Sequence, residues 1–456
     1  MFVAERYAAF LASTAAVPAT AHRMAVLAVL DLIAAALAGH SSSGAKASRV
    51  AAQSIWGPGD VPVWFSDARL PAGGAAFANA AAASMLDVDD GHRAAAGHPG
   101  AAIVPAVVAA AHGQGISTDR LLTAIVLGYE IAIRIAASRD LSRVDTLVSG
   151  RWVGQGVAAA IAWMRELTEP QTAQAIAIAG TSAPGLAPVA YSRVMGNHLK
   201  EGIAWATATG MAAVDLAAAG FTAPIDLLDN PALFEQQKLI AGFGQEWEIE
   251  RIYFKPYSCC RWAHAAIEAA LALQAEHSID ACSIERIRIE TFSRTLQLNN
   301  EPRPQTLESA QYSVPFCVAL ALLEGGDSLL PMTEGALSKM DVMALAERIS
   351  VETAADLDAM FPSRVPARVE LSAQSHTFTS TVITPKGEPS NPMSQAELKA
   401  KFRTLAGPVL GDAGASELLA AIETLGSGDS SVLLRQIGTP AEWASNRRAV
   451  VNSAFA

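Results

Sequence analysis

Charge is scarce in this chain of 456 residues: 17% are Asp, Glu, Lys or Arg, and the balance is acidic, with a formal net charge of −11 and a pI near 5.3. A protein so poor in cations has no basic face with which to neutralise phosphates, so nucleic acid is excluded as a partner. Cysteine is also sparse. Cys259, Cys260, Cys282 and Cys317 form no CxxC pair and no His-rich spacing, which excludes a zinc ribbon and a disulfide framework. There is no Walker loop and no GxGxxG after a strand, so nucleotide binding has no support and no cofactor is expected. No run of about 18 uninterrupted apolar residues occurs; the best candidate, Met24 to Gly39, contains Asp31 and reads as a buried helix. The opening MFVAERYAAF lacks a basic region followed by an apolar core and cleavage site. No membrane association and a cytoplasmic location are the resulting expectations.

What the chain has in abundance is small apolar residues. Hydrophobic residues make up 51%, with alanine far ahead of the bulkier aliphatics, which points to closely packed helices. The length exceeds what one core usually organises. Helical periodicity runs from about residue 5 to 265, broken at Gly57 to Gly59, Gly97 to Gly100 and Pro184 to Pro188. After Glu276 the texture changes: Ile284 to Phe292 alternates apolar and charged residues, and Ala367 to Thr384 is β-branched at period two, as half-buried strands are. Pro385 to Pro392 is a breaker, after which Ser394, with Glu397 three residues on, caps a further helix and begins a helical tail. The expected fold is mainly α: a large all-helical domain of residues 1–265 plus 395–456, interrupted by a smaller α+β lid domain of residues 266–394.

Three segments carry candidate chemistry. In Leu86 to Pro105, Asp87, Asp89 and Asp90 precede His92 and His98 at the mouth of an apolar helix. Short acidic turns often only cap helices; alternatively His98, oriented by a neighbouring Asp, works as acid, base or carboxylate ligand. A metal is not expected, because no second ligand cluster accompanies these residues. In Phe254 to Ala270, Lys255, Arg261 and His264 gather before an amphipathic helix among aromatic neighbours, a local reversal of the chain's charge suited to a substrate carboxylate. In Asn197 to Trp205, His198 and Lys200 precede another small-residue helix, where most lysines are merely solvated.

Taken in order, LDVDDGH with HPGAAIVPA, VLGYEIAIRI (Val126 to Ile135), GFTAP (Gly220 to Pro224), FKPYSCCRWAHAAIEAA, YSVPFCVALALLEG (Tyr312 to Gly325) and TPKGEPSNPMSQAELKAKF (Thr384 to Phe402) resemble the MmgE/PrpD superfamily of 2-methylcitrate dehydratases, cis-aconitate decarboxylases and iminodisuccinate epimerases. The resemblance spans nearly the whole chain. It implies a helical domain with an α+β lid, a homodimer, and a cofactor-free lyase that removes a proton next to a carboxylate of a small di- or tricarboxylic acid; an epimerase or a non-catalytic carboxylate binder is the alternative. Position by position it makes Asp87, His98, Lys200, Lys255, Cys260 and His264 catalytic candidates, with Asp90, Arg151, His198 and Arg261 as substrate contacts and Asp87 fixing the orientation of His98. Two departures stand out. GRWVGQG puts Arg151 or Trp152 where many relatives carry a His, and Asn197-His198-Leu199-Lys200 moves a lysine by three positions, about one helical turn.

Overall fold

A computed structural model describes residues 1–141, 143–185 and 196–441. The breaker expected at Pro184 to Pro188 lies largely outside these residues, as does the end of the helical tail beyond Ala441. The protein is mainly helical, as the small-residue periodicity implies.

One hydrophobic core gathers residues from Val3 to Phe254 and again from Leu398 to Ala441. At its centre the helix Val153–Met164 packs against Gly100–Ala111, Thr118–Ala137, Glu169–Thr181 and Ile203–Ala218. Glycine makes these approaches possible. A Cβ at Gly156 would stand 2.4 Å from the Gly128 carbonyl, and one at Gly210 would stand 2.5 Å from that of Gly154, so helix axes come closer than any larger residue allows.

The second core draws on Cys259 to Ala373. Here Arg261–Glu276 and Val314–Glu324 pack together beside a four-stranded sheet in the order Ile349–Thr353, Ile284–Thr291, Arg368–Ala373, His376–Thr379. The first pair is parallel and the other two antiparallel. The strand expected over Ile284 to Phe292 is present. The β-branched tract expected to be extended from Ala367 to Thr384 folds back on itself instead. Gln374 and Ser375 take φ of 50° and 63°, a left-handed pair that closes a tight hairpin. The strand Ile349–Thr353 carries too short a signal to read in advance.

Two further strand pairs are too short for any periodicity, yet one positions the site. Gly91–His92 pairs antiparallel with Ile252–Tyr253, which brings the acidic turn and the cationic segment together across some 160 residues of chain. The capping box expected at Ser394 is formed: Ser394 Oγ accepts from Glu397 N, and Glu397 Oε2 accepts from Ser394 N. The helix it starts, Gln395–Glu423, changes direction at Gly411, with φ 69°. Its Lys401 reaches the helix Ala19–Gly39, where the ammonium bonds Asp31 at 2.5 Å and the carbonyl of Val88 at 2.7 Å. Both side chains are buried. Asp31, the interruption that marked Met24 to Gly39 as a core helix, is thus one half of an internal ion pair.

Removing one partner of such a pair leaves a buried charge and typically costs about 3–5 kcal/mol, whereas replacing both is near neutral. Lys401→Met is therefore expected to lower the unfolding free energy in urea by about 3 kcal/mol, and Asp31→Asn/Lys401→Met to regain most of it. A double variant no more stable than the single would show that the pair is not coupled in this way.

Candidate active site

The turn after helix Ala72–Ser84 carries the acidic cluster, and all of it is inside the protein. Asp87, Asp89 and Asp90 expose 5%, 1% and 1% of their surface. Three carboxyl groups in a low-dielectric interior require partners, and each finds a different one. Lys255, wholly buried, bonds the Asp87 carbonyl at 2.8 Å and its carboxylate at 3.1 Å. Burial works against the Lys255 ammonium, but Asp87 and Asp89 outweigh it and hold the group above its ordinary range. Asp89 lies 3.2 Å from His98 Nδ1. Burial alone would raise the Asp89 carboxyl, yet the His98 ring and Lys255 hold it below its usual value. Asp90 accepts from the Tyr129 hydroxyl at 2.7 Å and from Gly100 N at 3.1 Å, at the start of the helix Gly100–Ala111. With no cation in contact, burial pushes Asp90 up to about 7.

His98 is the centre of the arrangement. Its Nδ1 faces the Asp90 carbonyl at 3.0 Å and the Asp89 carboxylate, while Nε2 lies 3.8 Å from Asp87. The ring is therefore oriented through Asp89 and the Asp90 carbonyl rather than through Asp87. Burial and Lys255 oppose a charged ring, but Asp89 and Glu201 prevail, and the imidazolium persists up to about 9. Ser149 braces the same point: its Oγ accepts from His98 N at 2.9 Å and donates to Glu201 at 2.6 Å.

Lys200 enters from the opposite side. Lys200, Glu201 and Gly202 have φ of 43°, 58° and 71°, three left-handed residues in succession. Two of them carry side chains that this conformation strains by roughly 1–2 kcal/mol each. The result aims the Lys200 ammonium at the Gln311 side chain and over the Tyr312 ring, 5.2 Å from its centre. Burial depresses the pKa of this amine, against the pull of Asp87 and Glu308.

Asp87, Asp89, His98, Lys200, Glu201 and Tyr312 line one small cavity, too tight to hold a water molecule. His98, Glu201 and Tyr312 also line a cleft of about 380 Å³ that opens between the two cores, where Arg93 and Tyr253 face Cys260, Arg261 and Arg294. Asp87, Asp89 and His98 present ligand atoms within 4.8 Å of one another. The Lys255 ammonium and the His98 imidazolium already supply the positive charge there, so the cluster suits two organic cations better than a metal ion.

Of the residues singled out in the sequence, the structure brings Asp87, His98, Lys200 and Lys255 together and sets Cys260 on the cleft wall. Lys255 lines neither cavity; it contacts Asp87 and acts on Asp89 and His98 through its charge. The Cys260 thiol is pushed up by burial and stays protonated. Asp90 is taken up in anchoring a helix start and lines neither cavity. His264 is not at the cleft: it is fully buried, with Nε2 on the Cys259 carbonyl at 3.2 Å and Nδ1 on Arg261 at 3.2 Å. Burial and two nearby cations hold it well below its ordinary pKa, so it is neutral. His198 lies on the surface beside Glu308 and Ser43, and Arg151 is half-exposed beside Asp145. Arg261 reaches the cleft but is bound to Glu388, at 2.8 and 3.0 Å, and to the Pro385 and Lys386 carbonyls. Trp152 is a buried ring behind Gly97 and titrates nothing.

Arg93, Ser149, Glu201, Arg294 and Tyr312 were not foreseen as site residues. Arg93 and Glu201 adjoin motifs that were read, but their inward direction depends on a strand pairing and a left-handed turn that no local pattern announces.

A mainly helical fold with ionised groups buried at a seam between two cores marks an enzyme-like scaffold, and comparison with known proteins defines its class. Residues 5–245 match the MmgE/PrpD N-terminal domain and residues 257–426 the MmgE/PrpD C-terminal domain. The chain belongs to the MmgE/PrpD family. It is 27% identical over 433 residues to the human (Homo sapiens) protein "Cis-aconitate decarboxylase", an alignment covering 88% of this chain and 85% of that one. It is 25% identical over 408 residues to the mouse (Mus musculus) protein of the same name, covering 82% and 80%.

The raised pKa of His98 has a thermodynamic consequence. A group whose folded pKa lies above its unfolded value of 6.5 stabilises the fold fully below that pH, and the contribution is lost as pH rises through about 9. The stability difference between the wild type and His98→Gln, measured by urea unfolding from pH 6 to 10, is expected to shrink across that window. A difference that stays constant or widens would mean that His98 is neutral in the folded protein.

Proposed function

We propose that this protein is a cofactor-independent lyase that acts on a small di- or tricarboxylic acid, by decarboxylation or dehydration. The observation that carries the reading is a buried histidine kept as an imidazolium at the edge of a cleft bordered by Arg93, Arg261 and Arg294, in a chain whose net charge is −11. Cations concentrated at one cleft of an acidic protein select anionic ligands. Family membership and the decarboxylase relatives agree with it.

In the proposed reaction His98 is the general acid. When a carboxylate leaves as CO2, the electron pair of the broken C–C bond stays on the neighbouring carbon, and the His98 Nε2–H protonates it there. Water then restores the imidazolium. In a dehydration the same proton goes to the departing hydroxyl, and a second group must take the proton from carbon. Lys200, with its depressed pKa and its place in the same small cavity, serves as that base. The guanidinium groups stabilise the negative charge that develops on the remaining carboxylates. The α+β part serves as a lid whose closure excludes water and strengthens these interactions.

The test is proton NMR of the purified enzyme in deuterated buffer with citrate, methylcitrate, aconitate, itaconate and iminodisuccinate-type acids. A decarboxylase yields a product one carbon shorter with solvent deuterium at one carbon, and a dehydratase yields new vinyl signals with a C–H lost. His98→Gln is expected to lose about 10²–10⁴ in kcat, and activity to fall above about pH 9 as the imidazolium is lost. Deuterium exchange with the skeleton unchanged would make the enzyme an epimerase, and an alkaline limb unmoved by changes around His98 would remove it as the acid.

A further inference from the structure

We infer that Arg93 recognises a distal carboxylate of the substrate, and that it forms a specificity subsite with Tyr253 and Glu388; this rests on the polycarboxylate reading above. Arg93 lines the cleft together with His98, and the two are held in one rigid frame. The Arg93 carbonyl accepts from Ala96 N at 3.1 Å, and His92 N bonds the Gly97 carbonyl at 2.9 Å, so a tight turn begins at Arg93 and delivers the chain directly to His98. The pairing of Gly91–His92 with Ile252–Tyr253 fixes that turn to the rest of the core.

The charges at this corner do not balance. A single oxygen of Glu388, Oε1, receives both Arg93, at 2.5 Å, and Arg261, at 2.8 and 3.0 Å. Both guanidinium groups also lie over the Tyr253 ring, with centres 4.9 and 4.7 Å away. Two cations against one carboxylate leave one surplus positive charge. Arg261 does not carry it outward, since its remaining donors go to the Pro385 and Lys386 carbonyls and to His264. Arg93 differs: its Nε–H is buried without an acceptor, an unmet donor on a group that faces the cleft. A carboxylate in the cleft supplies the missing charge. Glu388 is built in rather than incidental. Gly387 beside it has φ 94°, and a Cβ there would stand 1.8 Å from the Phe254 carbonyl, so the loop is pressed onto the segment that carries Tyr253.

His98 and Arg294 line the cleft as well, so Arg93 is a cation additional to theirs. The experiment is calorimetric titration of the full chain with two unreactive probes, tricarballylate and glutarate. Arg93→Gln is expected to weaken tricarballylate roughly ten- to hundredfold, the loss of a charge-assisted bond, and glutarate far less. Arg93→Lys should recover part of the loss. Glu388→Gln, which keeps both guanidinium groups and removes their counter-charge, should tighten tricarballylate severalfold and covers the case of an Arg93 variant that fails to fold. Equal weakening of both acids by Arg93→Gln, or tricarballylate affinity indifferent to both substitutions, overturns the subsite. If neither acid binds the wild type, the polycarboxylate reading falls and the subsite falls with it.

Discussion

The structure depends on neutralising a group of carboxylates that the fold has buried. Asp31, Asp87 and Asp89 sit in the interior, and each ionised group there costs several kcal/mol unless a cation stands against it. None of the lysines is local. Lys401 is 370 residues from Asp31, and Lys255 is 168 from Asp87. Asp31 meets its cation only when the long C-terminal helix has docked, and Asp87 only when the segment that carries Lys255 has docked. Assembly of the site is thus tied to completion of the tertiary fold. Burial still raises Asp31 against the pull of Lys401, and Asp90, whose carboxylate no cation contacts, is held by a hydroxyl and a helix N-terminus with its pKa raised to about 7.

The same principle separates two buried histidines. Both rings lie in the interior, where desolvation opposes charge. His98 faces Asp89, with Glu201 beyond, and remains an imidazolium to about 9. His264 faces Arg261, with Lys255 beyond, and is neutral. Desolvation opposes charge on both rings, and the sign of the surrounding charge decides which can give up a proton at neutral pH. That sign comes from the tertiary pairing of segments.

This explains what could and could not be read in advance. The helical character, the Ser394 cap, the strand at Ile284 and the grouping of Asp87, His98, Lys200 and Lys255 all rest on local pattern or on motif resemblance, and all are present. His264 has the same local appearance as a site residue, one turn into a helix beside Lys255 and Arg261, but it points into the second core. Asp90 is one residue from Asp89 and faces the other way. Arg93 and Glu388 are 295 residues apart and meet on one oxygen. Glu201 takes a left-handed conformation that no glycine advertises. Each miss concerns the direction of a side chain, which is set by register and turn geometry rather than by residue type.

Trp152 bears on the chemistry through what it replaces. The resemblance to relatives led one to expect a histidine at or beside this position. The indole is 1% exposed, and a Cβ on Gly97 would meet it at 2.8 Å and Ser149 Oγ at 2.4 Å. It acts as a wall behind the turn that presents His98, and it can neither donate nor accept a catalytic proton. On the proposed reading the proton carriers are then one imidazolium, His98, and one amine of lowered pKa, Lys200. An epimerase needs a proton carrier on each face of one carbon, and a dehydratase needs both groups in step. A decarboxylation asks only that a carbanion be protonated once, which His98 alone can do, with Lys200 and the guanidinium groups holding the remaining carboxylates. On that reading a cleft lined, among the described residues, by a single imidazole, His98, suits decarboxylation better than either of the other two reactions.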